Sequence, residues 1–205
     1  TSYRTSATDT GRISSSKDVF NKGMNLQNIP GDQRDWFVPD PGLVFWEADG
    51  SQIEARITAY VAGDVNYKQG FIEGRDIHSE NAIALFKIPA SDVRNPVVGT
   101  HYTYRDIGKR ASHAINYMVG PGKLKDLMNE YVPNMKFSLN DARRFIDSFK
   151  TLRPGIHKWW INTIQHLKTN RVMRTPYGRQ RVFLDRWGDQ LHRAAVAFVP
   201  QSTAA

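Results

Sequence analysis

The sequence predicts an α+β fold, mostly helical, and three observations carry that reading. Several proline-free stretches of ten or more residues open on a helix-capping residue. Residues 171–184 read as strand, turn, strand about Pro176-Tyr177-Gly178. Residues 43–49 form a mostly apolar run fenced by Pro41-Gly42 and Gly50, the pattern of a buried strand ending in an acid.

Taken in order, residues 1–18 are Ser/Thr-rich with isolated apolar positions and are expected to be extended or loop. A turn follows around Asn28-Ile29-Pro30-Gly31-Asp32. After the strand expected at 43–49, Ser51-Gln52-Ile53-Glu54 fits a capping box opening a helix that runs to about Ala62 and stops at Gly63. Asp76-Ile77-His78-Ser79 begins another helix through Phe86. Helices are expected over 104–117, despite Gly108, and over 138–151 and 154–169. The hairpin at 171–184 precedes a last helix from about Asp189, disturbed by Pro200. No repeat with a period of 20–50 residues is present, which argues against a solenoid.

Composition narrows the function classes. With 205 residues and 40% hydrophobic content, the chain can build a core, as one large domain or two small subdomains. No run is long and apolar enough to suggest a membrane span. The absence of cysteine excludes disulfides, thiolate zinc sites and a cysteine nucleophile. A net charge of +8 favours a polyanionic partner, although a merely soluble basic surface gives the same sum. The chain opens on Thr1 without a signal peptide and stops within an apparent element, so it is expected to be part of a longer protein.

Three constellations could carry chemistry. Asp49, where an apolar run meets a polar turn, could supply oxygen to a hard cation such as Mg²⁺; the plainer reading is a turn aspartate. Arg105, Lys109, His113 and Tyr117 recur every four residues and share one drifting helical stripe. Cations at one end and a ring at the other suit a nucleotide's phosphates and base; the alternative is a solvated basic face with Tyr117 in the core. Arginines interleaved with amides, namely Arg12, Asn25, Gln27, Asn28, Arg34, Arg174, Arg179, Arg181 and Gln201, suit phosphate contacts and sequence-tolerant hydrogen bonds.

In combination these segments resemble the family-A DNA polymerases, especially their phage branch. Thr10-Gly11-Arg12-Ile13-Ser14-Ser15-Ser16 and Asn25-Leu26-Gln27-Asn28-Ile29-Pro30 resemble the stretch leading into the palm. Asp49-Gly50-Ser51-Gln52-Ile53-Glu54-Ala55-Arg56 resembles motif A, with Gly50 in place of the usual Tyr. Arg75-Asp76-Ile77-His78 resembles a fingers segment. Arg105, Lys109, His113 and Tyr117 have the spacing of motif B, with His113 where the family has Phe or Tyr and Met118 where Gly follows the tyrosine. Thr175-Pro176-Tyr177-Gly178-Arg179 and Pro200-Gln201-Ser202-Thr203-Ala204-Ala205 resemble later palm motifs. The His-Asp-Glu motif carrying the second catalytic carboxylate has no counterpart here.

The resemblance implies partial palm over 1–62, helical fingers over 63–170 and partial palm again over 171–205. It implies template-directed DNA synthesis by a longer protein, with two Mg²⁺ ions, primer–template DNA, dNTPs and the remaining palm and thumb as partners, inside a bacterial cell. Asp49 and the Gly50 carbonyl would hold metal. Asp49, Arg105 and Lys109 would serve catalysis. Gln52, Ile53, Glu54, His78, Arg105, Lys109, His113 and Tyr117 would bind the dNTP. Arg12, Asn25, Asn28, Arg179 and Gln201 would touch DNA. The rival expectation is a non-catalytic module that binds primer–template or dNTP.

Overall fold

Helix-capping chemistry sets most of the architecture. The computed structural model describes residues 2–4, 7–46 and 48–205, with backbone alone at Asn28 and Gly31. Helix α1 spans Ile53–Val61, α2 Val65–Ile72, α3 Ile77–Phe86 and α4 Tyr104–Asn116. Then come α5 (Pro121–Tyr131), α6 (Leu139–Leu152), α7 (Pro154–Thr169) and α8 (Asp189–Ala204). Thr103 with Asp106 and Ser138 with Asp141 form complete capping boxes ahead of α4 and α6. Proline at the first turn starts α5 and α7, where its missing N–H costs nothing. Helix α8 passes through Pro200, giving up one backbone bond to the Val196 carbonyl.

Two antiparallel hairpins complete the α+β fold. Strands β1 (Ser2–Arg4) and β2 (Ser14–Ser16) pair Tyr3 with Ser15. Part of the N-terminal stretch expected to be extended or loop is therefore a hairpin. Strands β3 (Val172–Arg174) and β4 (Gln180–Val182) pair Met173 with Arg181. Their turn closes on Gly178, whose φ of 85° only glycine adopts without strain.

Packing divides the apolar residues between two cores. The larger gathers Tyr67, Phe71, Ile107, Ile115, Leu124, Phe149, Ile156 and Trp160 from α2, α4, α5, α6 and α7. The smaller gathers Leu167, Met173, Phe183, Leu191 and Phe198 between α7, the second hairpin and α8. Helices α3 and α4 approach so closely that a Cβ on Gly108 would lie 2.6 Å from the Ala82 Cβ. That contact is why a glycine is kept in mid-helix. Asp64, 3% exposed, joins two helix starts: one carboxylate oxygen accepts from the Tyr67 N–H and the other from the Gly155 N–H, each at 2.9 Å. Arg153 is wholly buried against Glu80 and Asn81, at 3.1 Å from each.

Two expectations are corrected. Residues 43–46 and 48–49 form no strand, and Val44 and Trp46 are 72% and 91% exposed. Among the described residues nothing pairs with this run, and an extended segment without a neighbouring strand has no ladder to join; Glu47 lies outside the described residues. Ser51 and Glu54 do not form a capping box. Gln52 is the residue before α1, in the left-handed region at φ 54°, and makes no side-chain cap. Glu54 is occupied elsewhere. Helices α2 and α5 were not expected from the sequence.

Candidate active site

A cleft of about 570 Å³ opens between the loop leading into α1 and the facing surfaces of α3 and α4. Asp49, Gly50, Gln52, Ile53 and Glu54 line one side, with Arg12 beside them. His78 from α3 and Lys109 and His113 from α4 line the other. Nine of the residues singled out in the sequence thus share one concavity, from segments as far apart as Arg12 and His113.

Spacing of four along α4 explains the second wall. Ile107, Ala111 and Ile115 are buried, which turns Lys109 and His113 outward towards the cleft. Lys109 is exposed and makes no ion pair with a described residue. Arg105, one turn earlier, is held back. Its Nε and Nη2 donate to the two Asp76 oxygens at 2.8 and 3.1 Å. Burial works against ionisation of Asp76, but hydrogen bonds from Arg105 and Ser79 outweigh it and hold the carboxyl well below the usual range.

His78 has no hydrogen-bond partner on either ring nitrogen among the described residues. Burial, together with the Lys109 and Arg105 cations, pushes its pKa down to about 4, so the imidazole is neutral near pH 7. One donor and one acceptor are therefore left unmet, on nitrogens that solvent does not reach. The His113 pKa is lowered in the same way, by burial and by Arg12 and Lys109.

Glu54 ties the floor together. Arg12 pairs with one of its oxygens, and the Tyr117 hydroxyl donates to the other at 2.5 Å. Burial pushes the Tyr117 phenol up to about 12, opposed in part by Thr58, Arg12 and Gln201, so it stays a donor. Tyr117 caps α4 behind the cleft and meets the His113 ring edge-on at 5.3 Å. Gln201 reaches Tyr117 from α8 and is not part of the cleft lining.

The remaining assigned residues lie apart. Asn25 caps the turn at Leu26–Asn28 by accepting from Gln27 N–H, and also accepts from the Ser15 hydroxyl at 2.6 Å. The Arg179 guanidinium rests over Gly11, where a Cβ would sit, next to Arg12. The Asn28 side chain lies outside the described residues. Sequence reasoning missed Tyr67, Arg110, Ser112 and Asn116, which also line the cleft. Ser112 and Asn116 are four apart on the buried side of α4, 2% and 4% exposed, and their Oγ and Oδ1 have no described partner. Polar residues at helical spacing beside an apolar stripe were the available signal.

Magnesium can be tested against these donors. Asp49 and Gly50 line the cleft, and the Gly50 carbonyl already accepts the Ile53 N–H at 3.0 Å, leaving one lone pair. Among the described residues no three carboxylates or imidazoles are grouped to hold a metal. The donors present fit one contribution to a cation site, short of a two-ion centre.

Comparison with known proteins places the chain as a whole. The chain is 31% identical over 191 residues to the thermostable DNA polymerase I of Thermus filiformis, covering 90% of this chain and 20% of that protein. It is 30% identical to DNA polymerase I of Chloroflexus aurantiacus over 95% of this chain and 19% of the relative. It spans about a fifth of these relatives' length. Among solved structures, the POL domain of Pol1 from M. smegmatis, in complex with DNA primer-template and dNTP, superposes with a TM-score of 0.74 at 25% identity. That match covers 98% of this chain and 35% of the other. The family model for DNA polymerase family A matches residues 1–205, and the chain belongs to that family.

Proposed function

We propose that the chain forms the fingers and part of the palm of an enzyme that attaches deoxynucleotides to a primer 3′-hydroxyl under template direction. In that reaction the hydroxyl attacks the α-phosphate of a dNTP and pyrophosphate leaves. One observation carries the reading: Lys109, His78 and His113 face Asp49 to Glu54 across one cleft, in a chain that family A matches from end to end. The solved relative's complex with primer-template and dNTP supports the same ligands here.

The helices α2 to α7 account for fingers over 63–170, with palm over 1–62 and 171–205. The outer segments support this division by meeting each other: Ser202 donates to the Thr10 carbonyl at 2.7 Å, and Arg181 pairs with Asp9 at 2.7 Å. Lys109 would take the triphosphate's charge, and neutral His78 would add a directional hydrogen bond. Arg105 would orient α3 against α4 through Asp76 and reach phosphate only by sharing that carboxylate. Glu54, fixed by Arg12 and Tyr117, would wall the sugar. Bound Mg²⁺ would activate the hydroxyl and stabilise the leaving group. Asp49 and Gly50 would contribute to holding it, and among the described residues they form an incomplete donor set. Arg12, Arg179 and Gln201 would lie along the DNA side. No helix among the described residues is long and apolar enough to cross a membrane, and the bacterial relatives support action inside the cell.

The test is primer extension. Residues 1–205 alone should bind primer–template yet extend it far more slowly than the complete protein. In the complete protein, Asp49→Ala should abolish Mg²⁺-dependent extension. Robust extension by residues 1–205 that disappears in Asp49→Ala would show that this segment completes its own metal site. Full activity of the complete Asp49→Ala protein would overturn the assignment of Asp49.

A further inference from the structure

Beside the cleft, four side chains form a ladder that the nucleotide-binding residues do not use: His101 and Tyr102 on the loop ahead of α4, Tyr131 on α5 and Arg110 on α4. The His101 and Tyr102 rings lie 3.9 Å apart, and Tyr102 stacks on Tyr131 from α5, also at 3.9 Å and within 28° of parallel. The Arg110 guanidinium lies 3.7 Å over the Tyr131 ring, and Arg110 itself lines the cleft. The ladder therefore connects the cleft wall with the surface, where His101 is exposed.

Core packing explains only its inner half. Tyr102 and Tyr131 rest against the larger core, whereas exposed His101 adds nothing to it. The loop is held in shape before any ligand arrives. Val97 N–H donates to the Tyr102 carbonyl at 2.8 Å, Pro96 bridges to Thr103, and the Asn134 amide donates to the Gly99 carbonyl at 3.0 Å. An ordered aromatic ring costs little entropy to stack upon.

We propose that the ladder is a stacking platform for unpaired bases of a nucleic-acid strand running past the cleft. Every base has a π-face, so aromatic and guanidinium stacking accepts any sequence, while a positively charged surface tracks the backbone. Arg110 supplies a cation at the inner end of the ladder, over the Tyr131 ring, and joins the platform directly to the cleft. The proposal rests on the reading that this cleft works on primer–template.

Fluorescence anisotropy of the 205-residue chain decides it, with four labelled DNAs: a free dT strand, a blunt hairpin duplex, the duplex with a 5′ dT overhang, and the duplex with an abasic overhang of equal length. The two overhangs carry the same phosphates, so only stacking separates them. The dT overhang should bind at least about fivefold tighter than the abasic one. His101→Ala should bring the two close to parity, with unchanged thermal melting and unchanged abasic affinity. Equal affinity for both overhangs in the unaltered chain overturns the proposal. So does a preference that survives in folded His101→Ala and Tyr102→Leu variants. Binding of free dT strands, lost in His101→Ala, without binding of any duplex would uphold the platform and remove the primer–template reading; binding of neither overturns both.

Discussion

Lys109→Ala in the complete protein should lower the rate of nucleotide incorporation by on the order of 10²-fold, the effect of removing one preorganised donor from a developing phosphate charge. Affinity for primer–template should change little. The asymmetry follows from the surroundings. Lys109 has no described carboxylate partner and lines the cleft, whereas Arg105 on the same stripe is already committed to Asp76. Removing Lys109 leaves His78 and His113, whose charged forms burial disfavours, to face a polyanion. Single-turnover incorporation and DNA binding, measured separately, check this. Undiminished incorporation would remove Lys109 from the chemistry, and a large loss of DNA affinity would reassign it to the duplex.

Glu80→Ala should destabilise the fold by about 3 kcal/mol, whereas Arg153→Met should cost less. The Arg153 guanidinium is fully buried and packs 4.4 Å from the Tyr67 ring centre. Its Nη2 donates to Glu80 and to Asn81, while Nε and Nη1 find no described partner. Deleting the carboxylate leaves a buried charge uncompensated; replacing the cation by an apolar side chain of similar length removes that charge, leaves Glu80 paired with Arg75 and costs the buried Asn81 Oδ1 its donor. Glu80 keeps 28% of its side-chain surface and also binds Arg75 at 2.6 Å, which places the loss at the lower end of the usual range. Urea unfolding of the three proteins is the measurement. A larger loss from Arg153→Met than from Glu80→Ala would reverse the account.

What could be read from the sequence was whatever is settled locally. The start of α4 lies in Thr103 and Asp106, that of α6 in Ser138 and Asp141, and α7 begins where Pro154 permits. Arg105, Lys109 and His113 are on one helix as their spacing requires, with Tyr117 at its C-cap; of the motif segments, those of Arg12, Asp49 to Glu54, His78, Lys109 and His113 meet at the cleft, whereas 25–30, 175–179 and 200–205 do not line it. Contacts set by tertiary structure were hidden. Asp76 reaches Arg105 across 29 residues, and Glu54 receives Tyr117 across 63. No local pattern encodes either pair. The S-x-x-E pattern misled because Gln52 takes a left-handed backbone, which starts α1 later than a capping box at Ser51 requires. The run at 43–46 misled because apolarity announces that a surface is to be covered without saying by what.

The doubly engaged carboxylate of Asp64 has a kinetic consequence. Its bond to Gly155 closes a loop of 91 residues. On a (3/2)RT ln n scale, drawing those ends together costs roughly 4 kcal/mol of chain entropy before any bond is returned. A contact so remote in sequence is expected to close after the local helices have found their partners, because its loop entropy is lost before its own bond returns anything. The Asp64–Gly155 clasp therefore resists escape from the native state more than it speeds arrival there. Its loss would be felt as faster unfolding, with refolding nearly unchanged.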